Sequence, residues 1–339
     1  MVLMNKSIAY ASETFISWFV SRVLVRKTSG TFRAEELEAF VEAFPEDPKD
    51  FFTTEHNTLP PENWFRKKSK KKGLVYGDFS FPSDEPIGEP KNDQVHGVAL
   101  LHPKKEKSPH VIFLHGWITP FHHQSVRFAK DLAKSGYSTY MMELPYHMRR
   151  TPPGRFSGIH MINADPRILY HGIRQAIADV QKLIRALRAQ GVESIHLAGL
   201  SMGAHICGIA SAIQEDIDSL LLIIPVSDYL HTILHAPILK SSREILKELP
   251  VTSEELQRFF APLELTRYQP LVPSDKILIV NGVYDRIVFS DKVRHLWKVW
   301  GLPSLLEVPH SHVSLFFSQS PFKLMAQHLK QHYLPLQSG

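Results

Sequence analysis

Gly199-Leu200-Ser201-Met202-Gly203 follows the apolar run Ser194-Ile195-His196-Leu197-Ala198 and precedes a small-residue helical segment, Ala204 to Ala212. The pattern reads strand, sharp turn, helix. A serine on such a turn sits in a strained backbone conformation, and glycines flank it because a Cβ at either position would collide with the neighbouring strand or helix. The hydroxyl then stands above the edge of the sheet. Taken alone the pentapeptide carries little weight, since Ser201 reads equally well as an ordinary helix N-cap. Its meaning depends on whether partner residues lie downstream in the chain.

Serine is a weak nucleophile at neutral pH; it needs a histidine to take its proton, and the histidine needs a carboxylate to hold its tautomer and stabilise the imidazolium. Downstream, Lys276-Ile277-Leu278-Ile279-Val280 reads as a buried strand, and Asp285 lies in the loop after it. A further apolar strand, Ser304 to Val308, runs into Pro309-His310-Ser311-His312-Val313-Ser314. Three strand-end loops thus carry serine, acid and histidine in order, on the sheet edge where ligands bind in open α/β sheets. The residues leave two choices open. His310 and His312 are both candidate bases, and Asp228, after the strand Leu220 to Val226, is an alternative acid to Asp285.

The chain resembles the α/β-hydrolase fold serine hydrolases, particularly the esterase branch related to dienelactone hydrolases and prolyl-oligopeptidase-like catalytic domains. Four ordered features from about Tyr76 onward carry the resemblance: His115-Gly116-Trp117 after the strand Val111 to Leu114, the serine turn, Gly282-x-x-Asp285-x-x-Val288, and the final histidine segment. The family commonly has Gly-His before the last helix. Here Ser311-His312 stands there, so the resemblance favours His312 with one departure, and the Gly and Val around Asp285 favour Asp285. An oxyanion hole of backbone N–H groups is expected from Met202 and, by the resemblance, from Trp117.

At 339 residues, 43% hydrophobic and 22% charged, the chain is long and apolar enough for one globular catalytic body with extensions. One cysteine, Cys207, excludes an internal disulfide and suits a reducing, cytoplasmic setting. Its small apolar neighbours point to a buried structural thiol. The net charge of +5 owes much to Arg66-Lys67-Lys68-Ser69-Lys70-Lys71-Lys72, which reads as a solvated loop or linker. Without interleaved aromatics it does not make a nucleic-acid module. Ile8 to Lys27 reads as an amphipathic helix and not as a signal peptide, because Glu13 interrupts its apolar residues. Such a helix packs on the body, on a second copy, or on a membrane surface. No uninterrupted run of about 18 apolar residues is present.

Alternation of strand and helix patterns after residue 75 predicts an α/β fold: a mostly parallel eight-stranded sheet with helices on both faces. Residues 1–74 form a helical extension and basic linker, 75–339 the α/β-hydrolase domain, and about 229–275 a lid insertion. A second insertion, Pro145 to Asp165, carries Arg149 and Arg150, read either as contacts to an anionic substrate group or as solvated. His231 and His235 lack a third metal ligand by spacing, so no metal is expected, and no cofactor. The functional expectation is a serine hydrolase of carboxylic esters acting on a small molecule through Ser201, Asp285 and His312. An acyltransferase or peptidase with the same residues, and a non-catalytic or membrane-associated protein of the same fold, remain alternatives.

Overall fold

Parallel strands joined by helices are covered on both faces, so their residues are apolar without alternation. The computed structural model describes residues 6–20, 34–71, 73–103, 108–162, 165–248, 251–318 and 320–333. Helices α1 (Lys6–Phe19), α2 (Ala34–Glu42) and α3 (Pro48–Phe52) precede β1 (Phe65–Lys71), β2 (Leu74–Pro82), β3 (Gln94–Leu101) and β4 (His110–Leu114). Next come α4 (His123–Lys134), β5 (Ser138–Met142), α5 (Arg167–Ala189), β6 (Ile195–Leu200), α6 (Met202–Ala210) and β7 (Ser219–Ile223). Helices α7 (Tyr229–His235), α8 (Lys240–Glu248) and α9 (Ser253–Phe260) fill the predicted lid insertion. The chain closes with β8 (Ile277–Gly282), α10 (Ser290–Val299), β9 (Ser304–Val308), α11 (His312–Phe317) and α12 (Ser320–Tyr333).

The described strands form one nine-stranded sheet in the order β1-β2-β3-β5-β4-β6-β7-β8-β9. Pairings among β1, β2, β3 and β5 are antiparallel, and all others are parallel. Every residue of β4, β5, β6, β7 and β8 is buried. On one side Phe113 of β4 meets Phe128 of α4 and Phe322 of α12, while α5 packs with α6. Chain order reverses at β4, which lies between β5 and β6. The crevice outside the carboxyl ends of β4 and β6 is therefore the topological switch point, and it holds both Trp117 and Ser201.

The sheet has one strand more than the eight expected, and the addition corrects the reading of the lysine run. Arg66–Lys71 is not a linker; it belongs to β1, the outer strand of the sheet, with Lys68 paired to Asp78 of β2. An edge strand exposes unpaired backbone groups, and a row of lysines keeps another chain from adding to it. Lys72 lies outside the described residues.

The N-terminal segment is packed on the body. Phe40 of α2 lies 5.2 Å from the Tyr170 ring of α5, and Phe44 stacks on Phe51 of α3 at 4.6 Å. Each such aromatic pair contributes about 0.5–1.5 kcal/mol beyond the area it buries. Helix α1 packs against α11 and the turn at Pro237–Leu239. The predicted amphipathic helix thus spans Lys6–Phe19, and its continuation to Lys27 falls almost wholly outside the described residues. No described helix is long and apolar enough to cross a membrane.

Candidate active site

Ser201 sits between β6 and α6 with φ 54° and ψ −114°. Two observations show why glycines flank it. A Cβ on Gly199 would come within 2.4 Å of the Gly203 carbonyl oxygen, and one on Gly203 within 2.4 Å of the Leu114 carbonyl oxygen. Both obstacles are backbone, so neither can yield. Left-handed φ angles recur in the loops after the neighbouring strands, at Ile118, Tyr146, Ile224 and Phe289. Such residues cost about 1–3 kcal/mol each and concentrate where a site requires a particular backbone path.

Ser201 Oγ lies 3.0 Å from His312 Nε2, and His312 Nδ1 lies 2.8 Å from Asp285 Oδ2. The other oxygen of Asp285 accepts the N–H groups of Ile287 at 2.8 Å and Val288 at 3.0 Å. That grip fixes the carboxylate, so the imidazole donates from Nδ1 and turns Nε2 to the hydroxyl. Burial opposes charging of His312, but the Asp285 carboxylate, with Glu13 behind it, outweighs burial and raises its pKa.

The alternatives have other partners. Asp228 caps α7 by accepting the His231 N–H at 2.8 Å and pairs with Lys292 at 3.0 Å. His310 is buried, lies 3.3 Å from Ser314 Oγ through Nδ1, and has its pKa lowered by burial. Ser311, where the family commonly has glycine, caps α11. Its hydroxyl accepts the Ser314 N–H at 3.2 Å while Ser314 Oγ accepts the Ser311 N–H at 2.9 Å. With φ −83° this position needs no glycine, and the cap fixes the helix whose first residue is His312.

As the first residue of α6, Met202 has an N–H without an acceptor inside the helix. The facing loop is held rigidly: Thr119 Oγ1 donates to the Gly116 carbonyl at 2.7 Å, and the Trp117 indole donates to the Gly158 carbonyl at 2.7 Å. His115 donates through Nδ1 to the Gly116 carbonyl at 2.8 Å, and its Nε2 accepts the Leu144 N–H at 3.1 Å. Burial, with His147 alongside, holds its pKa far down, so this histidine is a neutral structural link.

A cavity of about 180 Å³ opens at Ser201 and His312, with Trp117 and Met202 in its wall. Tyr229, Ile238 and Leu239 from the insertion make it apolar, and so do Ile16 of α1 and Val20 just past its end. Sequence reasoning missed the α1 contribution. Two polar residues of that helix, Glu13 and Ser17, are buried, so its inward face could not be read from hydrophobicity alone.

The solvated reading holds for Arg149, which is exposed, whereas neither reading holds for Arg150. Arg149 pairs with Glu143 at 2.7 Å, and Arg150 is fully buried against Asp179 at 2.8 Å. Burial pushes the Glu143 carboxyl up, yet hydrogen bonds from His122 and Arg149 bring it down to about 2. Both arginines brace the loop after β5. Cys207 is buried and its thiol pKa is raised by burial. No group of three metal-ligating side chains occurs among the described residues.

Comparison with known proteins bears on the fold and the family. Over 241 residues the chain is 29% identical to the Mycobacterium tuberculosis "Uncharacterized protein Rv2627c", an alignment covering 70% of this chain and 56% of that one. The chain thus spans little more than half the length of that relative. Acetyl xylan esterase 1 from Thermoanaerobacterium sp. JW/SL YS485 superposes with a TM-score of 0.66 at 14% identity, over 89% of this chain and 99% of that chain. A cold-adapted esterase from an Arctic intertidal metagenomic library gives 0.54 at 18%, over 81% and 99%. At these identities the likeness is one of fold. The family model described as "Alpha/beta hydrolase domain containing 18" matches residues 42–230, which take in Trp117, Ser201 and Met202 but not Asp285 or His312. With more than half its length under that model, the chain belongs to the alpha/beta hydrolase domain containing 18 family.

Proposed function

We propose that this protein is a serine hydrolase that cleaves a carboxylic ester through an acyl-enzyme. The observation that carries this reading is the hydrogen-bonded series Ser201–His312–Asp285, with the serine held in a strained turn. Ser201 Oγ attacks the carbonyl carbon as His312 Nε2 takes its proton. Negative charge on the carbonyl oxygen is met by the N–H groups of Trp117 and Met202. When the tetrahedral intermediate collapses, the ester C–O bond breaks and His312 returns the proton to the leaving alcohol. Water then attacks the acyl-enzyme with His312 again as base, freeing the acid and Ser201. The apolar cavity suits an apolar acyl group, and no cofactor takes part.

The test is reaction of the full chain with a fluorophosphonate probe, beside Ser201→Ala, with the adduct located by peptide mass spectrometry. Labelling at Ser201 that is lost in the variant supports the proposal and justifies p-nitrophenyl esters of graded acyl length. A folded wild type that never labels overturns it in favour of a non-catalytic role. Hydrolysis and acyl transfer are separated by adding an alcohol or amine acceptor and following the product.

A second reading concerns location. Ile8, Phe15, Trp18 and Phe19 lie exposed on the same helix that lines the cavity, which favours peripheral contact with a membrane. Co-sedimentation of the full chain with phosphatidylcholine–phosphatidylserine vesicles should drop at least fivefold in a Phe15→Asp, Trp18→Asp double variant. Equal binding of variant and wild type overturns this reading.

A further inference from the structure

Glu13 is an acidic side chain with no exposure, carried on the inward face of α1. Its Oε1 accepts the backbone N–H of Arg286 at 3.3 Å, and its Oε2, which has no hydrogen-bond partner among the described residues, stands 3.7 Å from the Arg286 guanidinium. Arg286 immediately follows Asp285 and is held twice more by α1. Its guanidinium donates to Thr14 Oγ1 at 3.2 Å and lies 4.7 Å from the centre of the Tyr10 ring. One turn further along α1 Ile16, and just past the end of the helix Val20, line the cavity beside Ser201 and His312.

The cost of burying a carboxyl points to a role. An acidic side chain removed from water is retained only where its charge or its hydrogen bonds serve something nearby. Here the neighbours are the acid–base pair itself. From the loop after β8, Asp285 and Arg286 face Glu13; from α11, His312 does. The turn at Pro237–Leu239 packed against α1 presents only Pro237, Ile238 and Leu239. On its own helix Tyr10 shares Arg286, and Tyr10 also meets Tyr284 edge-on at 6.4 Å.

We propose that Glu13 is a positioning residue of the Ser201 site: a carboxyl delivered by the N-terminal helix that pins the Asp285–Arg286 turn and sets a second negative charge behind the His312 imidazole. This rests on the ester-hydrolase reading for its consequence in catalysis, though not for the electrostatic coupling itself. Glu13 acts through its neighbours and touches no reacting atom. Its own ionisation supports the arrangement. Burial, reinforced by Asp285, raises its pKa to about 7, while His312, the Arg286 N–H and the Arg286 charge act the other way. The carboxyl therefore titrates in the range where a histidine base is charged and discharged.

Charge sets the direction of the effect. An anion behind His312 favours the imidazolium, so removing it lowers the histidine pKa. As a base His312 must start neutral, so the acid limb of activity moves to lower pH. At the high-pH plateau the imidazolium that forms in the transition state loses a favourable charge, and the rate falls.

The experiment compares wild type, Glu13→Gln and Glu13→Asp as full chains, by side-chain NMR titration of His312 and by the pH dependence of fluorophosphonate labelling. Glu13→Gln should lower the His312 pKa, move the acid limb of labelling the same way and slow the plateau rate by about fivefold to twentyfold, on the scale of one lost charge contact. Glu13→Asp should recover most of each effect, which also separates a lost charge from a misfolded helix. A His312 titration that is the same in wild type and Glu13→Gln overturns the inference. Should His312 respond to Glu13 while wild type never labels, the coupling stands and the esterase reading falls.

Discussion

Two parts of the chain meet at Ser201, and they are held there by different means. Ser201, Asp285 and His312 sit at the ends of β6, β8 and β9, so the hydrogen bonds of the sheet set their spacing. Glu13 and Ile16 arrive on a helix that is not part of the sheet and is held by packing and by Arg286, with Val20 just past its end. The first set is fixed by backbone geometry that few residue types satisfy. The second depends on a docked surface that many sequences could provide. Substitutions in the strand-end loops should therefore remove chemistry, and those in α1 should retune it.

The largest expected effect is that of Ser201→Ala, which removes the proposed nucleophile and should lower ester turnover by about 10⁴–10⁶-fold while the protein stays folded. Asp285→Asn keeps the shape but favours the wrong imidazole tautomer, and a loss of about 10⁴-fold in kcat is expected. Both are read with a p-nitrophenyl ester and circular dichroism. If Asp285→Asn cost less than Glu13→Gln, the comparison would invert, and α1 would carry the principal acid.

Glu13 also sharpens the contrast through stability. Its pKa is about 7 in the folded chain against an ordinary 4.5, so the folded state holds more protons than the unfolded state between those values, and stability falls as pH rises through that window. Glutamine does not titrate. The difference in Tm between Glu13→Gln and wild type should therefore move in favour of glutamine from about pH 4.5 to pH 7 and level off above, as read by calorimetry. A pH-independent difference would mean that Glu13 is as readily ionised in the folded chain as in the unfolded one.

The same division explains what was legible in the sequence. Val111–Leu114 and Ile277–Val280 announce parallel strands because both faces of those strands are covered, and Gly199 and Gly203 announce the turn because backbone atoms occupy the space a Cβ would need. The edge strand β1 was hidden because lysines mask its alternation. Its available signal was the turn after Lys71, where Lys71 pairs with Leu74 and Gly73 adopts φ +82°. Arg150 looked like a surface residue because its partner Asp179 lies on α5, a pairing that no local pattern reveals. Glu13 was hidden for the same reason.

The smallest effect tests how finely the strand-end loops are tuned. Ser311 caps α11 through two reciprocal hydrogen bonds with Ser314, and His312 is the next residue. Ser311→Ala loses the acceptor for the Ser314 N–H and should cost about 1 kcal/mol, whereas Ser311→Gly should cost only a few tenths, since glycine tolerates the cap position. In a chain of this size about 1 kcal/mol lowers Tm by roughly 2 °C. Because the cap orients the first turn and not the substrate cavity, the alanine variant should lose kcat by no more than about threefold with KM unchanged, less than the factor of ten that about 1.4 kcal/mol would bring. A larger loss in Ser311→Gly than in Ser311→Ala would mean that the position needs a side chain for more than the cap, and the serine would then belong with the residues that set His312.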